Sequence, residues 1–261
     1  MRLLDKVILI TGSTTGIGEA IARHCLAEGA KVLIHGRDQA RGEQLCTELG
    51  SSAVLHIDDL ADPAAPRRLV EATLKAFGRL DGIVNNAAYI VRSDLSTTDT
   101  PLFDRVMAIN VRAPMLLIQA GIEQLKLNKG AIVNIGSVNA YTGEPRQLAY
   151  SMSKAALMTL SRNLANVLAV DQVRVTHFNV GWVLTPNEYK LKMSEGLPAG
   201  WSDQPNPEDV PTGRMTQPEE IAPHAVFWLS DESRPISGSV IELEQFPIIG
   251  RIPLKEGPSN Q

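Results

Sequence analysis

Short runs of apolar, mostly β-branched residues recur along the chain, separated by longer stretches with helical periodicity. Val7-Ile8-Leu9-Ile10 is apolar at every position, the mark of a strand covered on both faces. Lys31–His35, Ala53–Ile57, Gly82–Val84, Ala131–Ile135, Arg174–Val180 and Val240–Leu243 are further strand-like runs, with polar residues among the apolar ones. Between them lie helical patterns: one through Ile21, Cys25 and Leu26 that stops at Gly29, then Ala64–Phe77, Phe103–Leu127 and Tyr150–Val170. Asp81 and Pro101 mark element starts, and Gly29, Gly50 and Gly78 mark helix ends. Strands alternating with helices predict βαβ units: an α/β, doubly wound parallel sheet of about seven strands with helices on both faces. No repeat, low-complexity tract or linker divides residues 1–261, so a single domain is expected.

One segment breaks the rhythm. Between Thr185 and Gln217 lie Pro186, Pro198, Pro205, Pro207 and Pro211, with Trp201 and a helical pattern over Glu188–Glu195. A long irregular insertion in an α/β domain is usually a binding loop, so 186–216 is expected to be a substrate loop or lid. Trp182, Tyr189, Met193 and Trp201 give it a moderately apolar character. The tail Phe246–Leu254 is apolar and is expected to cover its own sheet or a neighbouring subunit.

Composition narrows the class. With 44% apolar and 21% charged residues the chain is ordinary globular material. A net charge of -4 and a pI near 5.8 argue against nucleic acid or an anionic membrane as partner. Cys25 and Cys46 lack metal-like spacing and read as free thiols in a reducing compartment. The N-terminus runs straight into a strand without a signal-peptide pattern, and no apolar run approaches a membrane span. A cytoplasmic location is expected.

Two stretches carry chemistry. Thr11-Gly12-Ser13-Thr14-Thr15-Gly16-Ile17-Gly18 links the first strand to the first helix. Glycines let backbone approach a pyrophosphate, and the helix N-terminus offers free N–H groups and positive dipole. Its G-x-x-x-G-x-G spacing resembles the dinucleotide-binding turn in kind, and the fold is expected to be Rossmann-like. Tyr150 and Lys154 sit four residues apart near a helix start, on one face. Bringing a phenol from about 10 to about 7 takes roughly 4 kcal/mol of differential stabilisation, more than one ammonium supplies, so helper groups are expected.

These motifs, with Asp59-Leu60, Asn85-Asn86-Ala87, Asn110, Gly136-Ser137, Gly181, Thr185, Gly213-Arg214-Met215 and Pro218-Glu219-Glu220, fall in one order. That order resembles the short-chain dehydrogenase/reductase family over nearly the whole chain. The resemblance implies an NAD(P)-dependent oxidoreductase acting on a carbonyl/secondary-alcohol pair, with reduction the expected direction. Tyr150 would be the general acid or base, and Lys154 would bond the nicotinamide ribose and lower the Tyr150 pKa. Ser137 would hydrogen-bond the substrate oxygen. Asn110, a residue type disfavoured inside helices, would hold a water linking Lys154 to solvent. The resemblance places the cofactor on Gly12, Ser13, Thr14, Thr15, Gly16, Ile17, Gly18, Arg37, Asp59, Leu60, Asn86, Ala87, Tyr150, Lys154, Gly181, Val183 and Thr185. It implies a small-molecule substrate and a homotetramer. Alternatives are an NAD-preferring alcohol dehydrogenase and a catalytically silent dinucleotide-binding protein, against which the complete Ser137, Tyr150 and Lys154 set argues.

Cofactor choice turns on the end of the second strand, His35-Gly36-Arg37-Asp38. Gly36 stands where NAD-using relatives usually carry an acid, and Arg37 resembles a 2′-phosphate clamp, so NADP is favoured over NAD. Asp38 reads as the N-cap of the next helix. Three positions depart from the family pattern: Ala88 for a glycine, Val180-Gly181 for Pro-Gly, and Glu244-Gln245-Phe246 for Asp-Gly-Gly. The last puts the C-terminal geometry and usual subunit contacts in question. Glu144 and Arg146 follow Ser137 on the expected substrate side, as recognition groups or as solvated loop charges.

Overall fold

A computed structural model describes residues 1–250; the end of the Phe246–Leu254 tail lies outside the described residues. Seven strands, β1 (Val7–Ile10), β2 (Lys31–Gly36), β3 (Ala53–Ile57), β4 (Gly82–Asn85), β5 (Ala131–Ile135), β6 (Arg174–Val180) and β7 (Val240–Leu243), form one sheet. The order is β3-β2-β1-β4-β5-β6-β7, and every pairing is parallel. Chain order reverses between β1 and β4, which opens a crevice beyond their carboxyl ends, the usual ligand position in such sheets.

Side-chain alternation explains why the strands are apolar throughout. Ile8, Ile10, Val32, Ile34, Val133 and Phe178 face one way, into a core closed by α1 (Gly16–Ala27) and α9 (Pro218–Leu229). Leu9, Leu33, Ile83, Ile132 and Val175 face the other way, against α3 (Ala65–Phe77), α5 (Ala113–Leu127) and α7 (Leu148–Val167). The remaining helices are α2 (Gln39–Leu49), α4 (Thr100–Met107), the single turn α6 (Asn139–Thr142) and α8 (Pro186–Ser194).

Two expectations change. The helix read from Phe103 begins at Thr100, because Asp99 accepts a hydrogen bond from Leu102 N at 2.9 Å and caps it. By length and composition the run Thr100–Leu127 could span a membrane, contrary to the sequence reading. Half of its most apolar window is buried inside the fold, and Leu117, Ile118 and Leu125 lie in the core, so it is a core helix. A π turn at Ala108–Arg112 interrupts it and carries Asn110; such bulges often lie at functional sites.

Beneath α7 the apolar pattern gives way to a buried polar row. Asn85, Asn134 and His177 are in register on β4, β5 and β6. Asn85 Nδ2 donates to Asn134 Oδ1 at 2.8 Å, and Asn134 Nδ2 donates to Ser161 Oγ on α7 at 2.8 Å. His177 Nδ1 lies 2.9 Å from Ser161 Oγ and Nε2 lies 3.0 Å from Asn179 Oδ1. These bonds tie three central strands to the helix that carries Tyr150, and Asn85 Oδ1 is left without a partner. His35 plays a similar part on the other side of the switch point. Its Nδ1 accepts from Gly12 N at 3.1 Å while Nε2 faces Asp58 O at 3.2 Å.

Burial pushes both His35 and His177 down from 6.5 to about 4. A depressed folded-state value means stability that is present above the unfolded value and lost as pH falls toward the folded one. Stability against urea should therefore fall as pH drops from 6.5 to 4.5, by at most about 2–3 kcal/mol per ring. A urea midpoint that stays flat over that window would show that neither ring is held neutral.

Candidate active site

The crevice at the switch point is a cleft of about 820 Å³, within the usual range for ligand pockets. At one end the turn after β1 runs into α1, whose first N–H groups have no acceptor inside the helix. Gly16 adopts φ +57, a conformation that favours glycine. Thr15 Oγ1 is buried without a partner. A side chain at Gly36 would put its Cβ 2.6 Å from Thr14 Oγ1, so Arg37 is the first side chain after β2 able to reach a ligand. A helix N-terminus, an unpartnered hydroxyl and an exposed guanidinium along one cleft fit a phosphate-bearing dinucleotide.

The turn itself is held from below. Asn86 Nδ2 donates to Thr11 O at 2.9 Å and to Gly12 O at 3.0 Å, while Thr11 Oγ1 accepts from Asn86 N and Ala87 N. Gly12, Thr14, Thr15, Gly16, Ile17, Arg37, Asp59, Leu60, Asn86, Ala87, Gly181, Val183 and Thr185 all line the cleft. Ser13 and Gly18 do not. Ser13 Oγ donates to Ile10 O at 2.7 Å and accepts from His35 N at 3.0 Å, which makes it a staple between β1 and β2. At Gly18 a Cβ would collide with Gly12 O and Asn86 Nδ2, so that glycine serves close packing. Asp38 does cap α2, accepting from Arg41 N at 3.1 Å. Arg41, unremarked in the sequence, donates from Nε to Thr14 O at 2.7 Å and brings a second guanidinium to the turn.

At the other end β5 runs out into Gly136-Ser137, and α7 lays Tyr150 and Lys154 against it. All three of Ser137, Tyr150 and Lys154 are buried and line the cleft. Lys154 Nζ donates to Ile135 O at 2.7 Å and lies 5.5 Å from the centre of the Tyr150 ring. Burial drives the Tyr150 phenol up to about 12, the Ser137 hydrogen bond pulls it back, and Glu188 repels the phenolate. Burial also pulls the Lys154 ammonium down to about 8. In the protein alone, burial outweighs the lowering of Tyr150 by Lys154 expected from the spacing. The ammonium is directed at a backbone carbonyl, and desolvation of the phenolate dominates. The chain alone thus holds a neutral phenol able to donate a proton.

Asn110 stands behind the cleft rather than in it. Its Oδ1 accepts from Tyr89 N at 2.7 Å, and its Nδ2 donates to Tyr89 O and to Ser153 Oγ at 3.1 and 3.0 Å. Ser153 Oγ in turn donates to Tyr150 O at 2.7 Å. The side chain is fully engaged in bracing α7 and the loop after β4.

The departure at Glu244 packs against the turn at Gly181. A Cβ on Gly181 would fall on the Glu244 carboxylate, which accepts from Trp182 N at 3.0 Å and Gln245 N at 2.7 Å. Ala88 is not among the described residues with positive φ, so its methyl group is unstrained. The 186–216 segment forms α8 and a short turn at Trp201–Asp203. Trp201 stacks between Trp182 and Tyr189, with ring centres 5.6 and 6.0 Å apart. Of the aromatic and methionine residues read as an apolar pocket, Trp182 alone lines the cleft. Trp201 and Tyr189 are packing, and Met193 is exposed. Glu144 lines the cleft but Arg146 does not, and Arg92, Asn139, Gln147 and Glu188 join the wall without any motif to announce them.

If burial governs Tyr150, the ultraviolet difference titration between the protein and Tyr150→Phe should show no phenolate below about pH 10. A phenolate signal near pH 7 in the protein without cofactor would contradict this.

Comparison with known proteins agrees with the geometry. Residues 12–244 match the family model described as enoyl-(acyl carrier protein) reductase. A Thermotoga maritima protein described as an uncharacterised oxidoreductase is 35% identical, over 94% of this chain and 98% of its own. The NADP-dependent (R)-specific alcohol dehydrogenase of Lentilactobacillus kefiri is 32% identical, over 91% and 94%. A crystal structure of 3-ketoacyl-(acyl-carrier-protein) reductase from Brucella melitensis, complexed with NADH, superposes with a TM-score of 0.82 at 30% identity. That match covers 92% of this chain and 97% of the other. The chain belongs to the short-chain dehydrogenase/reductase family and is a nicotinamide-dependent oxidoreductase of carbonyl and alcohol groups.

Proposed function

We propose that the protein works as an NADP-preferring carbonyl reductase in which Tyr150 is the proton donor. The observation that carries this reading is the burial of a neutral Tyr150 beside Ser137, at the end of a cleft whose other end is built for phosphate. The nicotinamide cofactor, when bound, supplies the hydride. In the reductive direction Tyr150 gives its proton to the substrate oxygen as charge develops there, and the Ser137 hydroxyl donates a second hydrogen bond to that oxygen. Lys154 contributes its ammonium, held in line by Ile135 O, to the ribose and to the field that stabilises phenolate once the proton has left. Asn110 is a positioning residue, acting through Ser153 on the backbone of Tyr150.

The preference for NADP rests on Arg37 and Arg41 flanking the Thr14 turn, and on the closure of position 36 to an acidic side chain. A guanidinium pairs well with a phosphate dianion. The relatives include an NADP-dependent enzyme and one crystallised with NADH, so this chain's own residues weigh most. Residues 186–216 serve as the lid, hinged where Leu184 N donates to Thr216 O at 2.8 Å. A cytoplasmic homotetramer fits the free Cys25 and Cys46 and the exposed Met115 on α5 and Met152 and Val167 on α7; light scattering gives the mass that decides the assembly.

Replacing Tyr150 with Phe keeps the ring and removes the proton. Turnover should fall by about a hundredfold or more, while the cofactor dissociation constant, read by fluorescence, moves little. Retained turnover would overthrow the proton-transfer assignment. Arg37→Ala should raise KM for NADPH by about tenfold and for NADH far less; equal effects on the two would remove the NADP preference.

A further inference from the structure

The substrate end of the cleft is richer in acidic groups than a pocket for simple ketones needs. Its cations, Arg92, Lys154 and Lys192, are already engaged, Lys154 with Ile135 O at 2.7 Å. Arg92 Nε donates to Glu195 Oε1 at 2.6 Å, and Lys192 Nζ donates to Glu195 Oε2 at 3.1 Å. Lys192 also sits 5.5 Å over the Trp182 ring. Glu195 is not in the cleft wall, whereas Glu144, Glu188, Asp209 and Glu244 are. Of these acids, Glu244 is occupied by two backbone N–H groups. Glu188 gives one oxygen to Trp182 Nε1 at 2.9 Å and keeps the other. Glu144 has a buried oxygen, Oε2, with no hydrogen-bond partner, while the Arg92 charge lies near enough to act on both Glu144 and Glu188.

A buried acceptor with no donor is costly, and a carboxylate can only accept. Glu188 also stands near enough to Tyr150 to repel its phenolate, which puts an unspent acceptor close to the reacting centre. We propose that this cleft takes a carbonyl or alcohol compound bearing a further hydrogen-bond donor, a hydroxyl or a protonated amine, which Glu144 and Glu188 receive. Compounds with an anionic group beside the carbonyl are turned away by the same two acids. This assignment rests on reading the cleft as an oxidoreductase site and names its substrate class.

The test is binding without turnover, using protein saturated with oxidised cofactor so that ketones form dead-end complexes. Butanone, hydroxyacetone, aminoacetone and acetoacetate are titrated against tryptophan fluorescence. Hydroxyacetone and aminoacetone should bind about ten- to a hundredfold more tightly than butanone, and acetoacetate more weakly than butanone. In Glu144→Gln and Glu188→Gln the advantage of aminoacetone over butanone should shrink about tenfold. That of hydroxyacetone should survive in part, because the amide oxygen still accepts. Equal affinity for the four ketones, tightest binding of acetoacetate, or ratios untouched by both variants would overturn the assignment. Failure of the underlying oxidoreductase reading looks different: reduced cofactor is consumed with no carbonyl of any substituent class.

Discussion

The burial of Lys154 is the constraint to which the other features of the site answer. An ammonium 2% exposed loses its hydration, and burial draws it down to about 8. It stays usable because Ile135 O accepts from it at 2.7 Å. That carbonyl is the last of β5, immediately before Gly136-Ser137, so the strand end that anchors the lysine also presents the serine. On the neighbouring strand the imidazole of His177 occupies the space a side chain at Gly136 would need, and Asn179 and Ser161 hold the ring. Helix α7 cannot shift without breaking the Asn134–Ser161 and Asn110–Ser153 bonds. The rigidity of the pair comes from buried polar contacts on both of its flanks, a pre-organised arrangement of the kind proton transfer needs.

The fold was legible because every strand carries its own signal. Apolar-rich runs give strand limits that the structure matches closely, and Gly36 and Asn85 extend two of them by one residue. Helix ends were harder. Asp99 and Thr185 cap through side-chain hydrogen bonds that a composition reading passes over. The π turn at Asn110 leaves no trace in hydrophobic periodicity.

At the site, the legible residues were those whose type is dictated by chemistry or by backbone conformation, such as Tyr150, Lys154 and Gly16. Ser13 and Gly18 belong to the same turn, yet they hold it together from outside the cleft. The substrate wall was the least legible part. It is assembled from the loop after β4, the segment before α7 and the helix α8, and its residues meet only in three dimensions. An aromatic-rich segment suggests an apolar pocket, but Trp201 and Tyr189 stack to fasten α8, and the wall they support mixes Trp182 and Leu191 with Asn187, Glu188 and Lys192. Gly181 and Glu244 likewise lie far apart along the chain and make one contact in the fold.

The proposed mechanism requires the cofactor to lie along the cleft with its phosphates at the α1 N-terminus and its nicotinamide end at Tyr150 and Lys154. A crystal structure of the protein soaked with NADP tests this most directly. The account predicts the adenosine phosphate beside Arg37, the pyrophosphate over Thr15 and Gly16, and the nicotinamide ribose on Tyr150 and Lys154. A dinucleotide bound with its nicotinamide ring away from Ser137 and Tyr150 would contradict it.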